Sequence, residues 1–153
     1  MPAAHPRLVV WLAAALSLSA GLAWAQPPMV AGRIKVSIGA ASVIRNGQAL
    51  PAPVGTEVFE SDSVRTGADG RLGLTLRDET RVALGPDSEV ALTAFAYQPA
   101  ESRLGISLRV ARGVLSYVSG LVAKLAPESV RIQTPTGIIG VRGTHALIRV
   151  GRP

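Results

Sequence analysis

Cysteine is absent from this chain of 153 residues, and its absence excludes several kinds of chemistry. The protein has no disulfide, no thiol nucleophile and no cysteine that could be lipidated where a leader is removed. Histidine is also scarce, with two in the whole sequence, too few for a zinc site with three histidine ligands. Any catalysis would therefore have to rely mainly on hydroxyls, carboxylates and at most two histidines.

Aromatic residues make up only 4% of the sequence, so the core has to be built from valine, leucine, isoleucine and alanine. A core of small and branched aliphatic residues suits narrow, regular β layers. Long hydrophobic runs are missing too. The longest, Leu8 to Leu22, has about 15 residues, whereas a membrane span needs about 20.

That apolar run has the features of a signal peptide. Arg7 supplies the positive start, and Ala23-Trp24-Ala25 has the small-x-small pattern that precedes cleavage. We therefore predict a signal peptide over residues 1–25, cleavage before Gln26, and an exported domain over residues 26–153 without a membrane span. An uncleaved anchor is the alternative.

The chain is basic, with 16 lysines and arginines against 10 acidic residues and a net charge of +6. Such a balance would normally suggest nucleic acid as a partner, but export separates the protein from nucleic acid. Anionic envelope polymers are the more sensible counterpart. The arginines are spread at one or two per predicted strand, which also fits an ordinary solvated face.

Alternation of apolar and polar residues is the main structural signal. Leu72, Leu74 and Leu76 occupy every second position, and Arg71 and Arg77 flank them. A period of two places all three leucines on one face of a strand. Short strands joined by tight turns are expected on both sides of this segment.

The same signal recurs along the chain. Ile34, Val36 and Ile38 predict a first strand with these three side chains on one face, and Asn46-Gly47 suits the positive φ angles of a tight hairpin. Between residues 94 and 105 the pattern weakens, which suggests a loop or the end of a strand. Residues 120–127 could form a brief helical turn, a strand or a loop. The sequence predicts an all-β fold of ten to twelve short strands, and periodicity does not distinguish a sandwich, a barrel and a β-solenoid.

A catalytic site can be drawn only weakly. His145 could be combined with Ser63 and Asp62 as a triad, but no nucleophile elbow surrounds these residues. Asp78 and Glu79 form an acidic pair that we interpret as a solvated turn, since glycoside hydrolysis needs a cleft with one buried acid. We therefore predict no catalytic residues.

Ligand sites are equally weak. Gly137, Gly140 and Gly143 beside Arg142 could suggest a phosphate cradle, but no P-loop lysine is present and no helix is expected to follow. Glycines spaced in this way more often mark bulges or tight corners. Four aspartates lie in expected turns without the spacing of a calcium loop, so we interpret them as turn caps; they are Asp62, Asp69, Asp78 and Asp87. We predict no metal and no cofactor.

Several pieces of the sequence together resemble the FecR domain over nearly all of the exported chain. In order, they are Gly32 to Gly39, Gly55, Asp62-Ser63-Val64-Arg65-Thr66-Gly67, Leu72 to Leu76, Val82-Ala83-Leu84, Pro86-Asp87-Ser88-Glu89-Val90, Thr134-Pro135 and Val141-Arg142-Gly143-Thr144. The resemblance implies an all-β domain like a β-solenoid or β-roll on the periplasmic side of a Gram-negative envelope. Fuller members transfer a signal from an outer-membrane receptor to an extracytoplasmic-function sigma factor.

The chain departs from that family pattern in three respects. A signal peptide leads directly into the domain and the sequence stops at Pro153, so we expect no direct control of a sigma factor. Asp78-Glu79-Thr80 stands where an aspartate-glycine pair often ends the leucine ladder. His145 follows the Val-Arg-Gly-Thr motif where an aromatic or other residue is common, and no family contact is transferred to it.

Taken together, these features predict a non-enzymatic periplasmic module for interaction or sensing that docks another envelope protein. The family-motif residues, which are candidates for partner contact, are Asp62, Thr66, Thr134, Pro135, Val141, Arg142, Gly143 and Thr144. Arg142 and Thr144 would form the corner of the docking zone, with Leu147 to Val150 as an edge strand, although Arg142 could instead bond carbonyls across its turn. The alternative is a binder of peptidoglycan, glycan or lipopolysaccharide that uses basic strand faces.

Overall fold

A computed structural model describes residue 25 and residues 27–152, and this part of the chain is all-β. Its strands are β1 (Val30–Ile38), β2 (Ala41–Arg45), β3 (Gln48–Pro51), β4 (Glu57–Phe59), β5 (Ser63–Thr66), β6 (Arg71–Leu76), β7 (Arg81–Leu84), β8 (Glu89–Gln98), β9 (Arg103–Val118), β10 (Val130–Thr134), β11 (Gly137–Gly140) and β12 (His145–Val150). The helix α1 (Leu121–Leu125) and two 3₁₀ turns, Pro99–Glu101 and Pro127–Ser129, lie between them. The predicted signal peptide lies outside the described residues, except for residue 25.

Strand β9 organises the sheet. One of its edges pairs with β7 and β8, and the other pairs with β10 and β12. Gly113 has a φ of +87°. Before it, β9 pairs with β8 and β10; from it onward, β9 pairs with β7 and β12. The twelve strands thus form one curled half-barrel sheet with two halves that share β9. The front half contains β4, β1, β6, β7, β9 and β12, and the back half contains β3, β2, β5, β8, β9, β10 and β11.

A single, mainly aliphatic core fills the space between the two halves, and it also contains the fully buried ring of Tyr117, which the sequence did not predict. The front half contributes Leu72, Leu74 and Leu76, all buried as the alternation predicts, and the back half contributes residues such as Leu108 and Ile132. Each buried aliphatic side chain of this size stabilises the fold by about 1.5–3 kcal/mol relative to exposure. The curl of the sheet is therefore held by apolar burial from both sides.

Two strand predictions need correction. Ile34 is buried, but Val36 and Ile38 are exposed because a bulge between Ile34 and Val36 shifts the register of β1 against β6. Residues 94–98, expected to be a loop or a strand end, continue β8 and pair with the first residues of β9. A second bulge, between Leu92 and Ala94, breaks the period of two there and hides the strand. The Asn46-Gly47 hairpin is confirmed, with φ angles of +51° and +77°.

The chain changes from one half to the other at turns that lie against each other, which we call the corner stack: residues 39–40, 67–70, 85–88 and 113. The amide of Gly67 donates to the carbonyl of Ala40 at 2.9 Å, and the amide of Asp87 donates to the carbonyl of Gly67 at 2.9 Å. The amide of Gly85 donates to the carbonyl of Val114 at 3.1 Å. Each turn is thus hydrogen-bonded to its neighbour.

Two buried hydroxyls join the corner stack. Thr66 Oγ1 accepts from the amide of Ser88 at 3.0 Å and donates to the carbonyl of Gly85 at 2.7 Å. Ser88 Oγ accepts from the amide of Val114 at 2.8 Å. A side chain at position 113 would overlap Ser88, so glycine is required there for close approach as well as for its φ. The hydroxyls satisfy backbone groups that would otherwise be buried without partners.

The turn between β6 and β7 differs from its sequence interpretation. Asp78 is fully buried rather than solvated, and its carboxylate accepts from the Thr80 hydroxyl at 2.7 Å and from the amide of Val122 at 3.1 Å. The amide of Leu121 also donates to the Asp78 carbonyl at 2.7 Å. Asp78 therefore fastens α1 to this turn.

Replacing Thr66 with valine should lower the free energy of unfolding by about 1–3 kcal/mol, because the isosteric change leaves the Ser88 amide and the Gly85 carbonyl without their partner. Thr75→Val is the matched control, since Thr75 lies on the outward face of β6 and should change stability by less than about 0.5 kcal/mol. Urea unfolding measures both values. Equal stability of the two variants would show that the corner hydroxyl is dispensable.

Replacing Glu79 with glycine should stabilise the protein by about 0.5–1 kcal/mol, because Glu79 has a φ of +68° that favours glycine. Glu79 is the third residue of the hairpin loop formed by residues 77–79, and the third residue of such a loop adopts the left-handed conformation. Glu79→Ala keeps the strained backbone and should give no such gain. Thermal unfolding of the three proteins tests the order, and a less stable glycine variant would contradict it.

Candidate docking surface

The triad drawn from the sequence does not form. Ser63 lies in β5 of the back half, whereas His145 begins β12 in the front half, where its Nε2 is 3.0 Å from Ser116 Oγ. No carboxylate of the described residues hydrogen-bonds the His145 ring, and a hydrolytic triad needs such a group to orient the imidazole. Ser116 and His145 are an outward-facing pair on adjacent strands rather than an assembled catalytic centre.

Asp62 has a structural partner. It is only 3% exposed, and its carboxylate receives Arg45 Nε at 2.9 Å, Arg45 Nη2 at 2.7 Å and the amide of Phe59 at 2.9 Å. The Arg45 guanidinium also lies 4.5 Å from the centre of the Phe59 ring. The hydrogen bonds that Arg45 donates to the Asp62 carboxylate raise the pKa of Arg45. The bidentate pair fixes β2 to the turn between β4 and β5.

Thr66 is equally enclosed, with 2% exposure at the end of β5 beside the corner stack. Neither Asp62 nor Thr66 therefore presents much surface to a partner. Both motif residues instead form hydrogen bonds that hold neighbouring turns together. The two residues also use different partners, so the structure does not join them in one site.

The remaining motif residues lie in the C-terminal segment. Thr134 ends β10 and Pro135 begins the turn to β11; Thr134 Oγ1 donates to the carbonyl of Gly137 at 3.1 Å. Val141 is buried and anchors the next turn in the core. Gly143 and Thr144 follow it on the surface.

Ser119 fastens that surface turn to the end of β9. Its amide donates to the carbonyl of Thr144 at 2.9 Å, and its hydroxyl donates to the carbonyl of Gly143 at 2.5 Å. Gly143 has a φ of +137°, so it forms a corner as expected. Gly137 and Gly140, in contrast, are residues of β11 paired with β10, and a strand does not supply the successive amides of a phosphate cradle.

Arg142 is exposed, and no hydrogen bond or ion pair of its side chain is found within the described part of the chain. The alternative in which Arg142 bonds carbonyls across its turn is therefore not seen. The guanidinium is available to solvent or to a partner.

Two strands of this segment have a free edge. Among the described residues, β11 pairs only with β10, and β12 pairs only with β9. Their outward residues Ile138 and Leu147 are 67% and 68% exposed. We call β11, residues 141–144 and β12 the C-terminal edge. The sequence predicted the β12 edge as Leu147 to Val150 but did not single out Ile138. The two glycines that bracket Ile138 and Ile139 were the available signal.

Three of the four turn aspartates act as caps, since Asp62, Asp69 and Asp78 each accept a backbone amide. Asp87 instead pairs with Arg152 at 2.8 Å. Across the residues that the structure describes, no group of three or more acidic or histidine side chains is placed to hold a metal ion. No helix in that same part has the length and apolar character needed to cross a bilayer.

Comparison with known proteins gives one match. The family described as FecR protein matches residues 62–152, which begin at Asp62 and include all eight motif residues. No curated protein and no solved structure matches the chain.

Replacing Arg142 with alanine should change the free energy of unfolding by less than about 0.5 kcal/mol, since its exposed side chain has no hydrogen bond or ion pair within the described residues. Arg45→Ala should cost about 1–3 kcal/mol, because it leaves the Asp62 carboxylate buried without its partner. Chemical denaturation compares the two. A large loss for Arg142→Ala would mean that this residue supports the fold after all.

Proposed function

The chain belongs to the FecR family, whose members are signalling and regulatory proteins, and we propose that it is a periplasmic, non-enzymatic module that docks another envelope protein. Family members are associated with the envelope and work with protein partners. The predicted signal peptide supports the periplasmic location. Docking would serve sensing or regulation.

The C-terminal edge is the observation on which this proposal depends. Unpaired strand edges offer a row of amides and carbonyls that a partner strand can bond, and native proteins usually shield such edges. Here β11 and β12 are both unshielded in the described chain and both present an exposed aliphatic side chain, Ile138 or Leu147. Strand addition supplies affinity through backbone bonds and specificity through alternate side chains.

The motif residues divide into two roles in this proposal. Arg142 and Thr144 lie exposed at the corner of the C-terminal edge and would contact the partner directly. The other six support the shape that presents them: Asp62, Thr66, Thr134, Pro135, Val141 and Gly143. A solenoid-like or roll-like winding is part of the same proposal, and the stacked, hydrogen-bonded turns of the corner stack support it.

A second candidate function is the binding of an anionic envelope polymer such as lipopolysaccharide, peptidoglycan or another glycan. It is favoured by basic side chains without an ion pair in the described structure, among them Arg71, Arg81 and Arg149 on one sheet face. Sugar binding usually also employs aromatic platforms, which this chain has in small number. Protein docking is therefore preferred.

Leu147→Lys and Ile138→Lys should each abolish capture of a defined envelope protein by the immobilised domain, because a charge would replace the apolar contact at the edge. Val54→Lys is the control, since Val54 is 62% exposed in the loop between β3 and β4, away from the C-terminal edge. Affinity capture from solubilised envelope, washed at high salt, measures retention of that protein.

One result would contradict protein docking at the C-terminal edge. Retention on purified lipopolysaccharide or peptidoglycan that salt elutes, with no effect of either lysine substitution, would favour the polymer-binding function. Salt should weaken phosphate and carboxylate contacts far more than a strand pairing with apolar contacts.

A further inference from the structure

The outward face of the front half is a second surface that no described segment of the chain covers. It contains a shallow trough of about 310 Å³. Gly73, Ala83 and Ser116 form its floor, and they lie directly opposite one another in β6, β7 and β9. Val36 and Leu147 continue the same row at its two ends. The row crosses five strands, a width of about 19 Å at the usual strand spacing.

The face is strongly positive. Lys35 and Arg81 line the trough, and none of the four basic residues Lys35, Arg71, Arg81 and Arg149 forms an ion pair within the described chain. The acidic residue on this face, Glu57, is already paired with Arg33 at 2.6 Å. A ligand would therefore meet free cations on both sides of an uncharged floor.

Charge and shape exclude two occupants. A second copy of the chain would place the same cations against each other, which opposes association through this face. A sugar chain would lack stacking platforms, since no aromatic side chain lines the trough. The floor of glycine, alanine and serine instead leaves room for a polypeptide backbone to approach the sheet closely.

We propose that this face binds an acidic, extended segment of a partner protein, an inference that rests on the proposed function in taking the partner to be a protein. Carboxylates of the segment pair with Arg81 and Lys35, and aliphatic side chains contact Val36 and Leu147. An extended segment of about six residues spans the row. Leu147 belongs also to the C-terminal edge, so edge and face form one continuous surface.

The test is a selection of random twelve-residue peptides, displayed on phage, against the full-length protein. Enriched peptides should carry a negative net charge together with aliphatic residues. Ala83→Glu, which places a carboxylate on the floor, and Arg81→Glu should each weaken their binding by at least about tenfold. Arg109→Glu is the matched control, because Arg109 is an exposed arginine of the back half and its loss should leave binding unchanged.

Ala83→Gln has nearly the same size as Ala83→Glu but no charge, so it should retain most of the peptide binding. Thermal unfolding verifies that each variant is folded. Enrichment of neutral or basic peptides, or unchanged binding to Ala83→Glu, would overturn the inference. Binding of the wild type to lipopolysaccharide micelles that Arg81→Glu abolishes, without enrichment of acidic peptides, would also overturn it and identify an anionic glycolipid as the occupant.

The two proposals fail in different ways. If the envelope protein is lost with Leu147→Lys but retained by Ala83→Glu, docking at the C-terminal edge stands and the acidic segment is excluded. If neither variant affects capture, the proposed function itself is wrong.

Discussion

The hydroxyl bonds at the corner stack are the constraint on which the rest of the fold depends. The chain passes from one half of the sheet to the other at the corner, and the backbone groups beside the buried residues Thr66 and Ser88 need partners other than water. Thr66 and Ser88 supply the missing donors and acceptors, and Gly113 makes room for Ser88 against β9. With the corner fixed, the two halves face each other and the aliphatic core can close.

This arrangement assigns different tasks to the inside and outside of the protein. Buried polar side chains such as Asp62 and Asp78 form hydrogen bonds to nearby strands, turns and α1. The charged residues that remain lie on outward faces, where they need no partner to fold. The edge strands β11 and β12 both lie close to β9, since β12 pairs with it directly and β11 is joined to it through β10.

The sequence predicted what local pattern determines. The Leu72, Leu74 and Leu76 ladder and the Asn46-Gly47 hairpin were predicted correctly because alternation and turn chemistry act over a few residues. Three other features were not predicted, because each is set by a strand or helix distant in sequence. They are the exposure of Val36, the burial of Asp78 and the length and pairing of β9. A bulge turns Val36 outward, α1 covers Asp78, and β9 is recognisable only through its four partner strands. The C-terminal edge was expected at β12, while Ile138 required knowledge of where β11 ends.

The position of β12 has a mechanical consequence. It lies antiparallel to β9 over six consecutive residue pairs, from His145 with Val118 to Val150 with Gly113. A partner strand aligned with β12 and pulled along its axis would load all of these pairs simultaneously in shear, so that they resist together. A partner attached only at residues 141–144 and pulled away from the sheet would instead peel the pairs apart one after another, at much lower force. The direction of the applied force would then decide whether a partner bound at this edge is held or released.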